Sequence, residues 1–295
     1  MIFDYQFRNY NFRALIYMIL LSVLGILVVG SASNQDRSSV IKQIIGVVVS
    51  LIICLVLSLI DYHQYFRFTT LIYVVCAGML AAVLLFGRTT KGATRWLRIG
   101  GIQIQPSEFV KIGLILILAN FLSRNRDKIN EPKTLGMTAL ICALPVGMVY
   151  LQPNLSTTIV ICFMILCMVY VAGISYKWIA GAVAVGVPGF AALIYLSLQG
   201  FIPFLQKYQA QRIMGKIFHS SSEFTDLNRQ QDNSMMAIGS GQLRGKGLFN
   251  NTLSSVKNGN FLSEEQTDFI FAVIGEELGF VGGVAVIALY ALLVY

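Results

Sequence analysis

The chain has 295 residues, of which 56% are hydrophobic and only 12% charged, with a formal net charge of +8 and a mean hydropathy of +0.70. Soluble domains carry about 25% charged residues. A water-soluble fold is thereby excluded, and no nucleic-acid partner is expected.

Crossing a hydrocarbon core about 30 Å thick takes about 20 mostly apolar residues in a helix. Eight such runs are legible, near 13–33, 40–60, 68–86, 106–122, 135–151, 155–173, 177–198 and 268–295. They are continuous rather than alternating, which favours helices over a barrel. The predicted fold is all-α, a polytopic membrane protein of about eight transmembrane helices. No linker or low-complexity tract divides them, so a single domain over 1–295 is expected. The first run is long and lacks a small-residue cleavage site, which predicts an anchor rather than a removable leader. Cys54, Cys76, Cys142, Cys162 and Cys167 all lie inside apolar runs and read as packed thiols rather than a disulfide or zinc framework.

Loop charge sets orientation. With a cytoplasmic N-terminus, that side carries Arg8, Arg13, Arg67, Arg124, Arg126, Lys128, Lys133 and Lys177. The opposite short loops carry Arg37, Lys42, Arg88, Lys91, Arg95 and Arg98. The margin is narrow and four of the outer charges share one loop, as expected if they serve an anionic ligand.

That loop leads into the fourth run as KGATRWLRIGGIQIQPSEFVK, residues 91–111. Lys91, Arg95 and Arg98 form a cationic cluster beside Trp96, whose amphipathic ring suits the headgroup level. The cluster suits a lipid phosphate and equally a general attraction to anionic membrane lipids. Pro106 fits a first helical turn, and Glu108 suits the positive end of the helix. Glu108 and Lys111 are three residues apart, share a face and can pair. Ionisable groups at membrane depth mark a cavity or pathway by default, although a purely structural ion pair fits the spacing too.

Residues 199–267 break the pattern of short loops. The stretch mixes Phe201, Phe204, Tyr208, Ile213, Phe218, Phe224, Leu243, Leu248 and Phe261 with polar residues, predicting short amphipathic helices at the membrane. With an inside N-terminus the loop is extracytoplasmic. Within it, AIGSGQLRGKGL (237–248) looks like a phosphate loop and fails as one: Ser240 stands where the first glycine is needed, and Gly247 follows Lys246 in place of Ser or Thr. His63 and His219 are far apart on opposite sides of the predicted topology, so they build neither a metal site nor a triad.

The last run opens with EEQTDFIFAVIGEELG, residues 264–279. Asp268 is a carboxylate at the boundary between loop and apolar helix. Partial desolvation there would make it a usable proton acceptor, and the spacing suits a helix N-cap equally well. Glu276 and Glu277 lie over two turns deeper, so one of them is expected to face a polar interior. The run reaches Tyr295 with no polar tail, which predicts a chain cut short.

Four stretches, KGATRWLRIGGIQIQPSEFVKI, LQPNLSTT, DNSMMAIGSGQLRGKGL and TDFIFAVIGEELGFVGG, resemble in order the signature blocks of SEDS proteins (shape, elongation, division and sporulation). The opening DYQFRNYNFRALIY is similar to elongation-type members called RodA. Asn154 stands where the family block has an acidic residue, and Ser156 where it has a glycine. The resemblance implies ten helices, of which the last two would lie beyond Tyr295. It also implies a bacterial plasma-membrane glycosyltransferase that polymerises lipid II, the undecaprenyl-pyrophosphate disaccharide pentapeptide, with a class B penicillin-binding protein transpeptidase as partner.

Moving the sugar chain from a pyrophosphate lipid to a hydroxyl needs a base for that hydroxyl and positive charge for the leaving pyrophosphate. Asp268 supplies the first, by its match to the family's functional aspartate; Lys91, Arg95 and Arg98, with Trp96, Glu108 and Lys111 beside them, form the expected substrate-binding set. A divalent cation, Mg or Mn, bridging Asp268 or the pyrophosphate would be chemically sensible, without a dedicated ligand set in the sequence. The alternatives are a flippase for the lipid-linked precursor, working through the Glu108–Lys111 pair, and a non-catalytic scaffold for a transpeptidase.

Overall fold

The computed structural model describes residues 10–33, 36–90, 93–99, 102–152, 154–199, 225–250, 255, 262 and 265–295. Among them, seven helices are long and apolar enough to cross a membrane, and an eighth apolar helix is slightly shorter. Together they coincide with the eight predicted runs. The chain divides into two compact units, Met1–Ile60 with Ala210–Tyr295, and Asp61–Gln209.

The first unit holds α1 (Phe12–Ala32), α2 (Arg37–Ser58), α9 (Thr225–Ser240) and α10 (Ile270–Val294). The Asn11 side chain caps α1 by accepting from the Ala14 N–H at 3.2 Å. Asp36 caps α2, taking the N–H groups of Ser38 and Ser39 and the Ser39 hydroxyl. The hydroxyl is the largest influence holding this loop carboxyl below its ordinary pKa. α1 and α10 meet over a core of Val28, Ala32, Val273, Ile274 and Val286. Ala237 of α9 is buried with Leu262 and Ala272. The helix α9 falls within the predicted extracytoplasmic stretch, of which Phe201, Phe204, Tyr208, Ile213, Phe218, His219, Phe224 and Phe261 lie outside the described residues.

The second unit contains α3 (Tyr62–Arg67), α4 (Thr69–Phe86), strands β1 (Arg88–Thr90), β2 (Ala93–Ile99) and β3 (Ile102–Ile104), then α5 (Pro106–Arg124), α6 (Pro132–Leu151), α7 (Leu155–Val171) and α8 (Tyr176–Leu198). Cys76, Leu80, Val110, Leu114, Val149 and Ile161 make the core where α4 to α7 meet. Gly113 lets α4 and α5 approach closely: a Cβ there would come within 2.8 Å of Cys76 Sγ. Pro145 lies inside α6 and withholds the N–H that would bond the carbonyl of Ile141. The Tyr73 hydroxyl of α4 donates to that carbonyl at 2.7 Å. Asn154 caps α7, accepting from the Thr157 N–H at 3.4 Å, so a neutral amide side chain does the local work at this position.

Candidate active site

The strands β1, β2 and β3 form an antiparallel sheet in that order, with Arg88 opposite Trp96, Leu97 opposite Ile104 and Arg98 opposite Gln103. No strand was expected there from hydropathy. A signal was nevertheless present in the sequence, where Gly100-Gly101 is a dipeptide that favours a hairpin. Lys91 itself lies outside the described residues. Successive side chains on a strand point to opposite faces. Trp96 and Arg98, both exposed, therefore share one face of β2, and the half-buried Arg95 lies on the other. β2 packs against α4 and α5.

At the start of α5, Pro106 occupies the first turn and Glu108 follows in it. Lys111 Nζ lies 2.7 Å from Glu108 Oε2, with Glu108 53% and Lys111 28% exposed. The predicted pairing is thus present in the geometry.

Asp268 is exposed and belongs to the turn at 265–269 that leads into α10. The N-cap of α10 is Phe269, and no side chain bonds it. Among the described residues the Asp268 carboxylate has no hydrogen-bond or ion-pair partner, so it is not spent on capping. Among the described residues no group of three or more His, Cys, Asp or Glu side chains assembles that could hold a metal ion, and the expected divalent cation finds no protein ligand set there.

One feature of this region was not expected. α10 is broken at Gly279, whose φ of 67° and ψ of −164° lie in a region open essentially to glycine alone. A break strands N–H and C=O groups that would have no water to bond at membrane depth. Residues 242–247 satisfy them. The Phe280 N–H donates to Gln242 O at 2.8 Å and the Val281 N–H to Leu243 O at 3.2 Å, while the N–H groups of Lys246 and Gly247 donate to Glu276 O and Glu277 O, both at 2.9 Å. The approach requires bare backbone. A Cβ on Gly241 would strike Gly275 O, one on Gly245 would strike Glu277 O, and one on Gly279 would strike the Gly245 N. Gly241 and Gly245, two of the glycines that imitate a phosphate loop, let that loop clasp a broken helix.

Side chains reinforce the clasp. Glu276 and Glu277 are 2% and 1% exposed, so both face the interior, where one was expected. Lys246 Nζ lies 2.7 Å from Glu276 Oε1. The Ser31 hydroxyl of α1 donates to Glu277 Oε1 at 2.6 Å, and the Phe249 N–H reaches Glu277 Oε2 at 3.3 Å and Ser31 Oγ at 3.1 Å. Lys246 and Ser31 were missed as site residues; the spacing of Gly241, Gly245 and Gly279 was the available signal.

Seven helices long and apolar enough to cross a membrane, with an eighth slightly shorter and only one small sheet among the described residues, make this a largely helical integral membrane protein. The family model described as cell cycle protein (FtsW/RodA/SpoVE) matches residues 12–295, and the chain belongs to that family. It is 36% identical to the peptidoglycan glycosyltransferase MrdB of Escherichia coli K12 over 281 residues, 95% of this chain and 72% of the relative. It is 30% identical to the probable peptidoglycan glycosyltransferase FtsW of Haemophilus influenzae over 296 residues, 96% of this chain and 71% of the relative. Among solved structures it resembles a chain of a peptidoglycan synthase complex that coordinates polymerization and crosslinking, with TM-score 0.74 and 26% identity over 97% of this chain and 76% of the other. The rod shape determining protein RodA of Thermus thermophilus gives TM-score 0.65 and 25% identity over 97% and 73%.

Proposed function

We propose that the protein is a peptidoglycan glycosyltransferase that polymerises lipid II into glycan strands during cell elongation, with Asp268 as the general base. The hydroxyl of the acceptor sugar attacks the anomeric carbon of the donor, and its proton passes to Asp268. The bond from that carbon to the pyrophosphate lipid breaks, and the leaving oxygen takes the electron pair. Lys91, Arg95 and Arg98 hold the pyrophosphate and offset its developing charge, with Trp96 at the headgroup level. Glu108 and Lys111 belong to the same binding set. The N-terminus is cytoplasmic and residues 199–267 meet the exported substrate outside. A class B penicillin-binding protein is the partner that would crosslink the product, in keeping with the synthase complex that the chain resembles.

The observation that carries the reading is that Asp268 is an exposed carboxylate at the mouth of α10 that caps no helix. Asp268→Asn keeps the size and an acceptor oxygen, but it takes no proton at neutral pH. Reconstituted with lipid II and its transpeptidase, the variant should insert normally, bind lipid II, and lose on the order of 10²-fold or more in polymerisation rate. Glycan formed at near wild-type rate would remove Asp268 from catalysis and return the precursor-flippase reading to first place.

A further inference from the structure

Glu276 and Glu277 are almost completely withdrawn from the surface inside a helix apolar enough to cross a membrane, and the transfer chemistry uses neither. A buried ion pair is weak evidence for stability, since apolar residues of similar volume often serve as well. What a short, directional pair does supply is a fixed register between the elements it joins. Here the elements are the 242–249 loop and the first half of α10, joined by the 2.7 Å contact of Lys246 with Glu276 and by the backbone bonds on either side of Gly279. That half-helix, Ile270–Leu278, is separated from the rest of α10 by the break; Val273 and Ile274 pack it against α1, and the clasp fixes its end at Gly279. Asp268 stands in the turn just ahead of it, and Glu276 lies about 9 Å into the half-helix from Ile270 at roughly 1.5 Å per residue. A slip at the clasped end would slide the half-helix along its packed face and shift Asp268 with it, and about 1 Å of misplacement can cost on the order of 10²-fold in rate.

We infer that Lys246 and Glu276 are positioning residues for Asp268: their pair locks the half-helix so that the carboxylate is presented to the acceptor hydroxyl. This rests on the reading of Asp268 as the base.

The test uses the protein in liposomes with lipid II. Lys246→Met and Glu276→Gln should each lower kcat about tenfold or more, with KM for lipid II within about twofold. Added to Asp268→Asn, Lys246→Met should lower the residual rate by less than about twofold, because the group it positions is already disabled. A structural role alone would lower both backgrounds equally, and that result overturns the inference, as does full kcat in either folded single variant. If Lys246→Met does not accumulate, Glu276→Gln, which keeps the size and an acceptor, carries the same comparison. A second readout is independent of activity. With the five native cysteines replaced by alanine, the maleimide labelling rate of Asp268→Cys should change several-fold when Lys246→Met is added. If Asp268→Asn polymerises normally, the base reading fails, and the labelling alone reports whether the clasp sets the position of residue 268. Unchanged labelling overturns the inference in either case.

Discussion

The Tyr73 hydroxyl donates to the carbonyl of Ile141 at 2.7 Å, replacing the helical bond that Pro145 cannot make. Hydrogen bonds between transmembrane helices contribute about 0.6 kcal/mol on average and up to about 1.7. This one serves a carbonyl without its helical donor, so Tyr73→Phe should lie toward the upper part of that range in a denaturant titration of the purified protein. Pro145→Ala restores the N–H, and in that background the cost of Tyr73→Phe should shrink. An undiminished cost would show that the phenol stabilises something else.

Glu108 and Lys111 should couple. Glu108 is about half exposed, so the pair contributes to stability only on the order of 0.3–0.5 kcal/mol. If it belongs to the substrate site, Glu108→Ala and Lys111→Ala should each impair polymerisation far more than that stability loss explains. The double variant should then cost less than the sum of the two. Strict additivity in a double-mutant cycle would dissolve the pair as a functional unit.

Gly279→Ala should be among the most damaging single-methyl changes in the chain. It adds backbone strain of about 1–3 kcal/mol to a collision with the clasping loop. Gly25→Ala, where the new methyl would meet nothing within 4 Å, is the matched control and should be nearly neutral. Comparable stability of the two variants in a thermal-shift measurement would contradict the break at Gly279.

The proposed orientation is read by chemical labelling of intact cells. A cysteine at Ser221 should react with an impermeant reagent, and one at Ser123 should be protected. The reverse pattern would invert the topology and place Asp268 on the side away from an exported substrate.

Hydropathy made the eight apolar helices legible because a membrane span is defined by length and apolarity. Their ends were less so. The second run was read from 40, whereas α2 begins at Arg37, because Arg37, Ser38 and Ser39 form a polar first turn capped by Asp36. The pairing of Glu108 with Lys111 followed from helical spacing, but the division of Arg95 from Trp96 and Arg98 did not, since no strand was assigned to them. Nor does an apolar window register the break in α10. Gly279 sits in a run that is hydrophobic on both sides, and the groups that repair the break lie more than thirty residues earlier in the chain.

That order along the chain has a consequence for biosynthesis. Residues 242–247, which carry the hydrogen-bond partners of the broken α10, are translated before α10 itself. When the helix leaves the ribosome and partitions into the bilayer, the segment that completes it has already been made. Its exposed backbone groups at Gly279 can be covered as the helix inserts, without waiting for any later part of the polypeptide.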